Sequence, residues 1–271
     1  MLPAFTTYLI DLDGVVYRGE TLVEGAQAFI AWLHATNKKY LFPTNNSFAS
    51  EVQVLEKLAR LGIYTDASHV LGAAQAAVQN IARRFPGASV YVIGEKPLIE
   101  LVQAHELRVV DQDARSADIV LVGLDRTFNY QKLTNAILTV KAGATFITIN
   151  RDPLLPVAGS YQAGCGTMAA AIEAGCGVTP EVIGKPQPGL LQEAMRLLDS
   201  KPDETIMIGD TLPVDIVAGK AAGTHTLLVL SGNDSLSSLA RSTIQPDYVY
   251  TNLATVLADA AQESQHPQNN S

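Results

Sequence analysis

Tyr8-Leu9-Ile10-Asp11-Leu12-Asp13-Gly14-Val15 is the stretch on which the reading of this chain turns. A short apolar run rich in β-formers ends in two carboxylates one residue apart. In open α/β sheets, ligands gather outside the carboxyl ends of the strands, and the pair falls at such a place. Two carboxylates this close repel each other and suit a hard divalent cation. Such a cation would bring a phosphate within reach of a carboxylate nucleophile. The second carboxyl could protonate a departing alkoxide and later deprotonate an attacking water. Asp13-Gly14 also suits a simple hairpin turn, so Asp11–Val15 alone leaves both readings open.

Working outward, the chain alternates strand and helix. Gly25–Ala35 carries apolar residues at helical spacing, Lys39–Phe42 reads as a second strand, and Glu51–Leu61 as an amphipathic helix closed by Gly62. Ala73–Phe85 continues as a helix and stops at Pro86-Gly87. Ser89–Ile93, Ile119–Val122 and Thr145–Ile149 are strands of a second α/β unit, with helices near Pro97–His105 and Tyr130–Lys141 between them. A helix over Gly189–Leu198, a strand over Glu204–Ile208 and another over His225–Leu230 follow, and the tail beyond Gln262 is polar. This alternation predicts parallel sheets covered by helices.

Three further strand or helix edges carry polar groups. Thr44-Asn45-Asn46 follows the second strand and offers a hydroxyl and amides to phosphoryl oxygens, although these residues equally favour an Asx-turn and a helix cap. Gly184-Lys185-Pro186 places a lysine beside a helix N-terminus, which suits an anion, as a solvated loop lysine would also look. Gly209-Asp210-Thr211-Leu212-Pro213-Val214-Asp215 again leaves a strand and enters a helix. Asp210 would add a hard oxygen for a cation. Asp215 could hold Lys185 or orient a metal-bound water, or simply complement the helix dipole in the first turn.

The bulk numbers narrow the classes. The chain has 271 residues, 47% of them hydrophobic, enough for one large or two modest domains. Its formal net charge is -8 with no long basic run, which argues against binding a nucleic-acid polymer. No apolar stretch approaches the ~20 residues needed to span a bilayer, and the N-terminus lacks a signal-peptide pattern, so a cytoplasmic protein is expected. Cys165 and Cys176, the two cysteines, show no metal-ligand spacing and read as reduced thiols.

Taken together, these edges deliver Asp, Asp, Thr, Lys, Asp and Asp in one order along the chain. On these residues it resembles the haloacid dehalogenase superfamily, whose signature D-x-D-x-[TV], [ST], K and G-D-x-x-x-D they match. The second α/β unit lies between Thr44 and Lys185. That placement is similar to the subgroup with an inserted α/β cap, of the nitrophenylphosphatase, nucleotide phosphatase and NagD-like type. Val122-Gly123-Leu124-Asp125-Arg126 and Asn150-Arg151-Asp152 resemble that cap, and Ala163-Gly164-Cys165-Gly166-Thr167 its glycine turn, which packing alone would explain equally well.

The resemblance implies an α/β protein with a Rossmann-like three-layer core and parallel sheet over 1–80 and 181–271, and a cap over 81–180. It implies an Mg²⁺-dependent phosphatase of small phosphomonoesters (nucleotide, sugar or related phosphates) acting through an aspartyl-phosphate. Asp11 would be the nucleophile and Asp13 the general acid and base. Thr44, Asn45 and Lys185 would hold the phosphoryl oxygens. Asp11, the backbone carbonyl of Asp13, and Asp210 would ligate Mg²⁺, with Asp215 in support, while Asn150, Asp152 and Gly164 of the cap would face the substrate. The implied partner is a small phosphorylated metabolite, with no nucleic acid and no membrane, and a homodimer through the cap. The dehalogenases that name the superfamily lack the second Asp, and the phosphate-transporting ATPase relatives need transmembrane helices. A phosphomutase or phosphotransferase shares the two aspartates, with such a cap less usual there. A non-catalytic phosphate-sensing module is the alternative from another class; signalling receivers, however, are shorter and place their phosphorylated Asp after a later strand.

Overall fold

The structure, a computed structural model, describes residues 2–45, 51–157 and 160–265. It opens with β1 (Thr7–Ile10), β2 (Tyr17–Arg18), β3 (Thr21–Leu22), α1 (Ala26–Ala35), β4 (Lys39–Thr44), α2 (Glu51–Arg60) and β5 (Val70–Gly72). There follow α3 (Ala73–Arg84), β6 (Ser89–Ile93), α4 (Lys96–Ala104), β7 (Arg108–Val109), β8 (Ile119–Val122), α5 (Tyr130–Lys141) and β9 (Thr145–Thr148). The hairpin β10 (Leu154–Val157) and β11 (Ser160–Ala163) leads to α6 (Cys165–Cys176) and β12 (Glu181–Val182). The chain closes with α7 (Gly189–Leu197), β13 (Thr205–Gly209), α8 (Val217–Ala222), β14 (His225–Val229), α9 (Leu236–Arg241), β15 (Tyr248–Tyr250) and α10 (Leu253–Gln265).

By their contacts the residues fall into two units: Met1–Thr44, Ala49–Leu71 and Lys185–Ser271 in the first, Asn45–Phe48 and Gly72–Gly184 in the second. Apart from the short excursion at 45–48, the divisions lie at 71/72 and 184/185, whereas the sequence predicts them at 80/81 and 180/181. Helix α3 goes with the second unit, where it packs against α4. Its buried face of Ala73, Ala76, Ala77, Val78 and Ile81 is mostly alanine, which in sequence does not say which sheet the helix serves.

The first unit is built on a six-stranded sheet in the order β15-β14-β13-β1-β4-β5. β1 lies between β13 and β4, parallel to both, with Thr7 opposite Thr205 and Lys39. All four residues of β1 are buried, as expected for a central parallel strand covered on both faces. The two-residue alternation sorts its side chains. Tyr8 and Ile10 join Ile206, Ile208, Leu227 and Val229 in a cluster with Phe29 and Leu33 of α1 and Leu253 and Val256 of α10. On β14, Leu228 packs instead with Leu212 and Ile216. Burying each such side chain contributes roughly 1.5–3 kcal/mol relative to exposure.

Asp13-Gly14 does not join antiparallel strands. The Gly14 N–H donates to the Tyr17 carbonyl at 2.7 Å and the Val16 N–H to that of Leu12 at 2.9 Å, forming a compact turn. Gly14 adopts φ +81°, the left-handed region that glycine tolerates. The antiparallel pair comes afterwards, as β2 against β3.

The second unit carries its own five-stranded sheet, β12-β9-β8-β6-β7, with every adjacent pair parallel. β6 and β8 are buried at every position. Asn129 caps α5 through its side chain, which accepts from the Lys132 N–H, and Gly177 closes α6 in the left-handed conformation. β10 and β11 form a separate antiparallel hairpin that the sequence reading did not foresee.

Candidate active site

Four adjacent strands of the first sheet bring their carboxyl ends to one edge. β4 ends in Thr44, which is buried; β1 is followed by Asp11 and β13 by Asp210; the turn after β14 begins at Ser231. Lys185 arrives from outside this sheet, following β12 of the second unit, and is 3% exposed. Its Nζ donates to Asp11 Oδ1 at 2.6 Å and to Asp215 Oδ1 at 2.7 Å.

Carboxylate oxygens of Asp11, Asp210 and Asp215 lie within 4.8 Å of one another. Two of these acids hold the lysine, and Asp210 stands beside them. Burial raises the Asp11 carboxyl above the usual range; the Lys185 ammonium opposes that, and the neighbouring Asp215 and Asp210 charges reinforce it. For Lys185 burial alone would depress the ammonium, but the Asp11 and Asp215 carboxylates outweigh it and hold the group above the ordinary lysine value. Asp210 is also raised, first by burial and further by Asp215, against a backbone hydrogen bond from Asn233.

The local chain explains how Asp215 reaches this place. A wide π-type turn over Leu212–Ile216 follows β13. It brings Asp215 Oδ2 back to accept the N–H groups of Asp210 at 3.2 Å and Thr211 at 3.1 Å. Gly209 is required for this return, since a Cβ there would stand 2.1 Å from Asp215 Cβ. One Asp215 oxygen therefore fixes the backbone of the turn while the other holds Lys185.

Asp210 is boxed in by a turn that the sequence reading missed. Its Oδ2 accepts the Asn233 N–H at 2.7 Å and its Oδ1 the Thr211 hydroxyl at 3.0 Å. Asp234 Oδ2 accepts the Leu212 N–H at 2.6 Å, and the Asp234 N–H donates to the Asp210 carbonyl at 3.0 Å. A Cβ on Gly14 or Gly232 would stand 2.2 Å or 1.9 Å from Asp210 Oδ2. The available signal was positional: Ser231-Gly232-Asn233-Asp234 follows a strand of the same parallel sheet, but its direct bonds to Asp210 come from backbone N–H groups.

The other expected residues divide. Asp13 is exposed beside this cluster and does not belong to the group of three carboxylates. Asn45 belongs to the second unit, where its carbonyl accepts from Asn150 Nδ2 at 3.2 Å; Asn46 lies outside the described residues. Asn150 is buried, and its Oδ1 also accepts the Asp152 N–H at 3.2 Å, so its amide fixes backbone. Asp152 is exposed. Gly164 precedes α6 and donates its N–H to the Pro153 carbonyl at 2.8 Å; a Cβ there would stand 2.3 Å from the Asp152 carbonyl oxygen.

Three clustered carboxylates with a net surplus of negative charge are the donor set of a hard divalent cation rather than a soft one. Among the described residues no other group of three potential metal-binding side chains converges in this way.

Comparison with known proteins points the same way. A family model described as haloacid dehalogenase-like hydrolase matches residues 8–108, and a second, HAD-hydrolase-like, matches residues 182–256. The acid sugar phosphatase of Staphylococcus saprophyticus is 34% identical over 255 residues, covering 94% of this chain and 98% of that protein. A solved p-nitrophenyl phosphatase from Archaeoglobus fulgidus is 32% identical with a TM-score of 0.85, over 95% of this chain and all (100%) of that one. A thermostable p-nitrophenylphosphatase from Bacillus stearothermophilus, solved as a mutant, is 35% identical with the same TM-score of 0.85, over 93% and 98% of the two chains. NagD from E. coli K-12 is 29% identical, again with a TM-score of 0.85 and coverages of 93% and 98%.

Proposed function

The chain belongs to the haloacid dehalogenase-like hydrolases, and from that premise we propose that it hydrolyses small phosphomonoesters by way of an aspartyl-phosphate on Asp11. The observation that carries the reading is the buried Lys185, bonded to both Asp11 and Asp215 at the carboxyl edge of the first sheet. A lysine held there faces the nucleophile and supplies positive charge to a transferring phosphoryl group.

Asp11 attacks phosphorus, and the bond from phosphorus to the leaving oxygen breaks. Asp13 gives that oxygen its proton, then removes a proton from the water that attacks the aspartyl-phosphate; inorganic phosphate leaves and Asp11 is regenerated. Exposure of Asp13 suits an exchange of protons with alcohol and water. Lys185 and Thr44 hold phosphoryl oxygens.

Phosphatases of this family generally use a divalent metal. Here we assign Mg²⁺, held by Asp11, the Asp13 backbone carbonyl and Asp210, with Asp215 in support. When bound, it neutralises charge between carboxylates and phosphate, which at ~4 Å and an effective dielectric near 20 is about 4 kcal/mol per pair of charges.

Among phosphomonoesters, sugar phosphates are the first candidates, on the strength of the 34% identical acid sugar phosphatase. A cytoplasmic place fits these substrates, and no helix of the described residues is long and apolar enough to cross a membrane. Turnover of p-nitrophenyl phosphate and of a sugar-phosphate panel, each with Mg²⁺ and with excess chelator, tests the reading. Turnover with Mg²⁺ alone is expected; equal rates with chelator would remove the metal, and no turnover on any ester would remove the phosphatase.

A further inference from the structure

The turn that boxes Asp210 is tied from its outer side to the segment that carries the nucleophile. Arg18, on β2, donates from Nη2 to the Gly232 carbonyl at 2.7 Å. Ser231 donates its hydroxyl to the Gly14 carbonyl at 2.7 Å. Both ties join the stretch just after Asp11 to the turn after β14, across more than two hundred residues of chain. Between them sits the Asp210 carboxylate, in contact with the glycine backbone of each side and bonded to the Asn233 N–H.

We infer that Arg18 is a positioning residue for the cation site: its guanidinium latches Gly232 and so fixes the Asp210 carboxylate relative to Asp11. The inference rests on the metal assignment made above. β13 alone sets where the Asp210 backbone leaves the sheet. The Oδ2 side of its carboxylate is set by the 231–234 turn, which Asp234 ties to the Asp210 strand end and which Arg18 and Ser231 tie to the segment after Asp11. Outer partners of metal ligands act in this manner elsewhere, and their loss typically lowers metal affinity 10–100-fold.

The sign of the effect separates this role from simple electrostatics. Arg18 is a cation near a cation site. Removing its charge should by Coulomb's law strengthen metal binding, whereas loss of the latch should weaken it.

The test is Mn²⁺ binding to the free protein, read by electron paramagnetic resonance without substrate, together with kcat and KM for p-nitrophenyl phosphate at saturating metal. Arg18→Met is expected to weaken Mn²⁺ binding about tenfold or more, with KM little changed once metal is saturating. Arg18→Lys, which keeps a donor and the charge, should recover part of the affinity. Ser231→Ala should move it in the same direction by a smaller factor and, as the milder change, carries the test where Arg18→Met fails to fold. Wild-type or tighter Mn²⁺ binding in folded Arg18→Met, or in Ser231→Ala where only that variant folds, would overturn the latch while leaving the metal assignment standing. No Mn²⁺ binding by the wild-type protein would overturn both.

Discussion

The two parallel sheets of this molecule treat their carboxyl edges in opposite ways. In the first, three carboxylates lie together and two of them share one lysine. In the second, the edge is filled and neutralised. Side-chain carbons of Leu98 and Ile149 occupy the space beside Gly94 and Gly123, while Glu95 pairs with Arg126 at 2.9 Å and Asp125 with Lys132 at 2.6 Å. Asp125 is as buried as Asp215, yet its remaining oxygen accepts the N–H and hydroxyl of Thr127, so its charge is matched locally. Similar architecture therefore gives a reactive edge in one unit and a sealed one in the other. The difference lies in unmatched charge, which a substrate and a cation would complete.

The largest effect is expected at the unmatched edge. Asp11→Asn should lower kcat by roughly three to four orders of magnitude, as loss of a covalent nucleophile does, while relieving repulsion in the cluster and leaving the fold intact. Near-native turnover in the folded variant would dismiss Asp11 as nucleophile.

Next comes a matched pair of lysine replacements. Lys185→Met leaves the buried Asp215 and the half-buried Asp11 without their cation and should cost about 3–5 kcal/mol in denaturant unfolding, together with activity. Lys132→Met should cost about 1–3 kcal/mol, because Asp125 keeps its Thr127 hydrogen bonds, and should leave kcat unchanged wherever the protein is folded. A fall in kcat for folded Lys132→Met would break the contrast between the edges.

Metal addition sharpens the same contrast. Mg²⁺ at about a hundred times its dissociation constant should add about 2.7 kcal/mol of stability, seen as a higher Tm, and Asp210→Asn should remove most of that gain. An unchanged Tm in the wild-type protein would count against a cation in the cluster.

The smallest effect is expected in the second unit. Asp152→Ala should shift the ratio of kcat/KM between a sugar phosphate and p-nitrophenyl phosphate by about three- to tenfold, the worth of one exposed polar contact. Identical ratios would take Asp152 out of substrate selection.

Asp11, Lys185, Asp210 and Asp215 could be read in the sequence because each stands at a strand or helix edge and carries a charge with no nearby sequence partner. The alternation of short apolar runs with amphipathic stretches foretold both parallel sheets. What escaped was of another kind. The 231–234 turn positions Asp210 largely through N–H and carbonyl groups, which every residue has, so no residue type announces it. β5 has three residues and α3 an alanine-rich face, too little pattern to set the division at 71/72. β2 and β3 are two-residue strands below the length at which alternation is visible.

The pairing of β1 with β13 has a consequence for synthesis. β1 is made near the start of the chain, but the strand it lies against, with Thr7 opposite Thr205, is made only after the whole second unit. The second unit's strands are contiguous in sequence and can pair as they emerge, whereas β1 waits with one edge open and four apolar or β-forming residues uncovered. The edge that gathers Asp11, Lys185, Asp210 and Asp215 therefore cannot form until the second unit has been made.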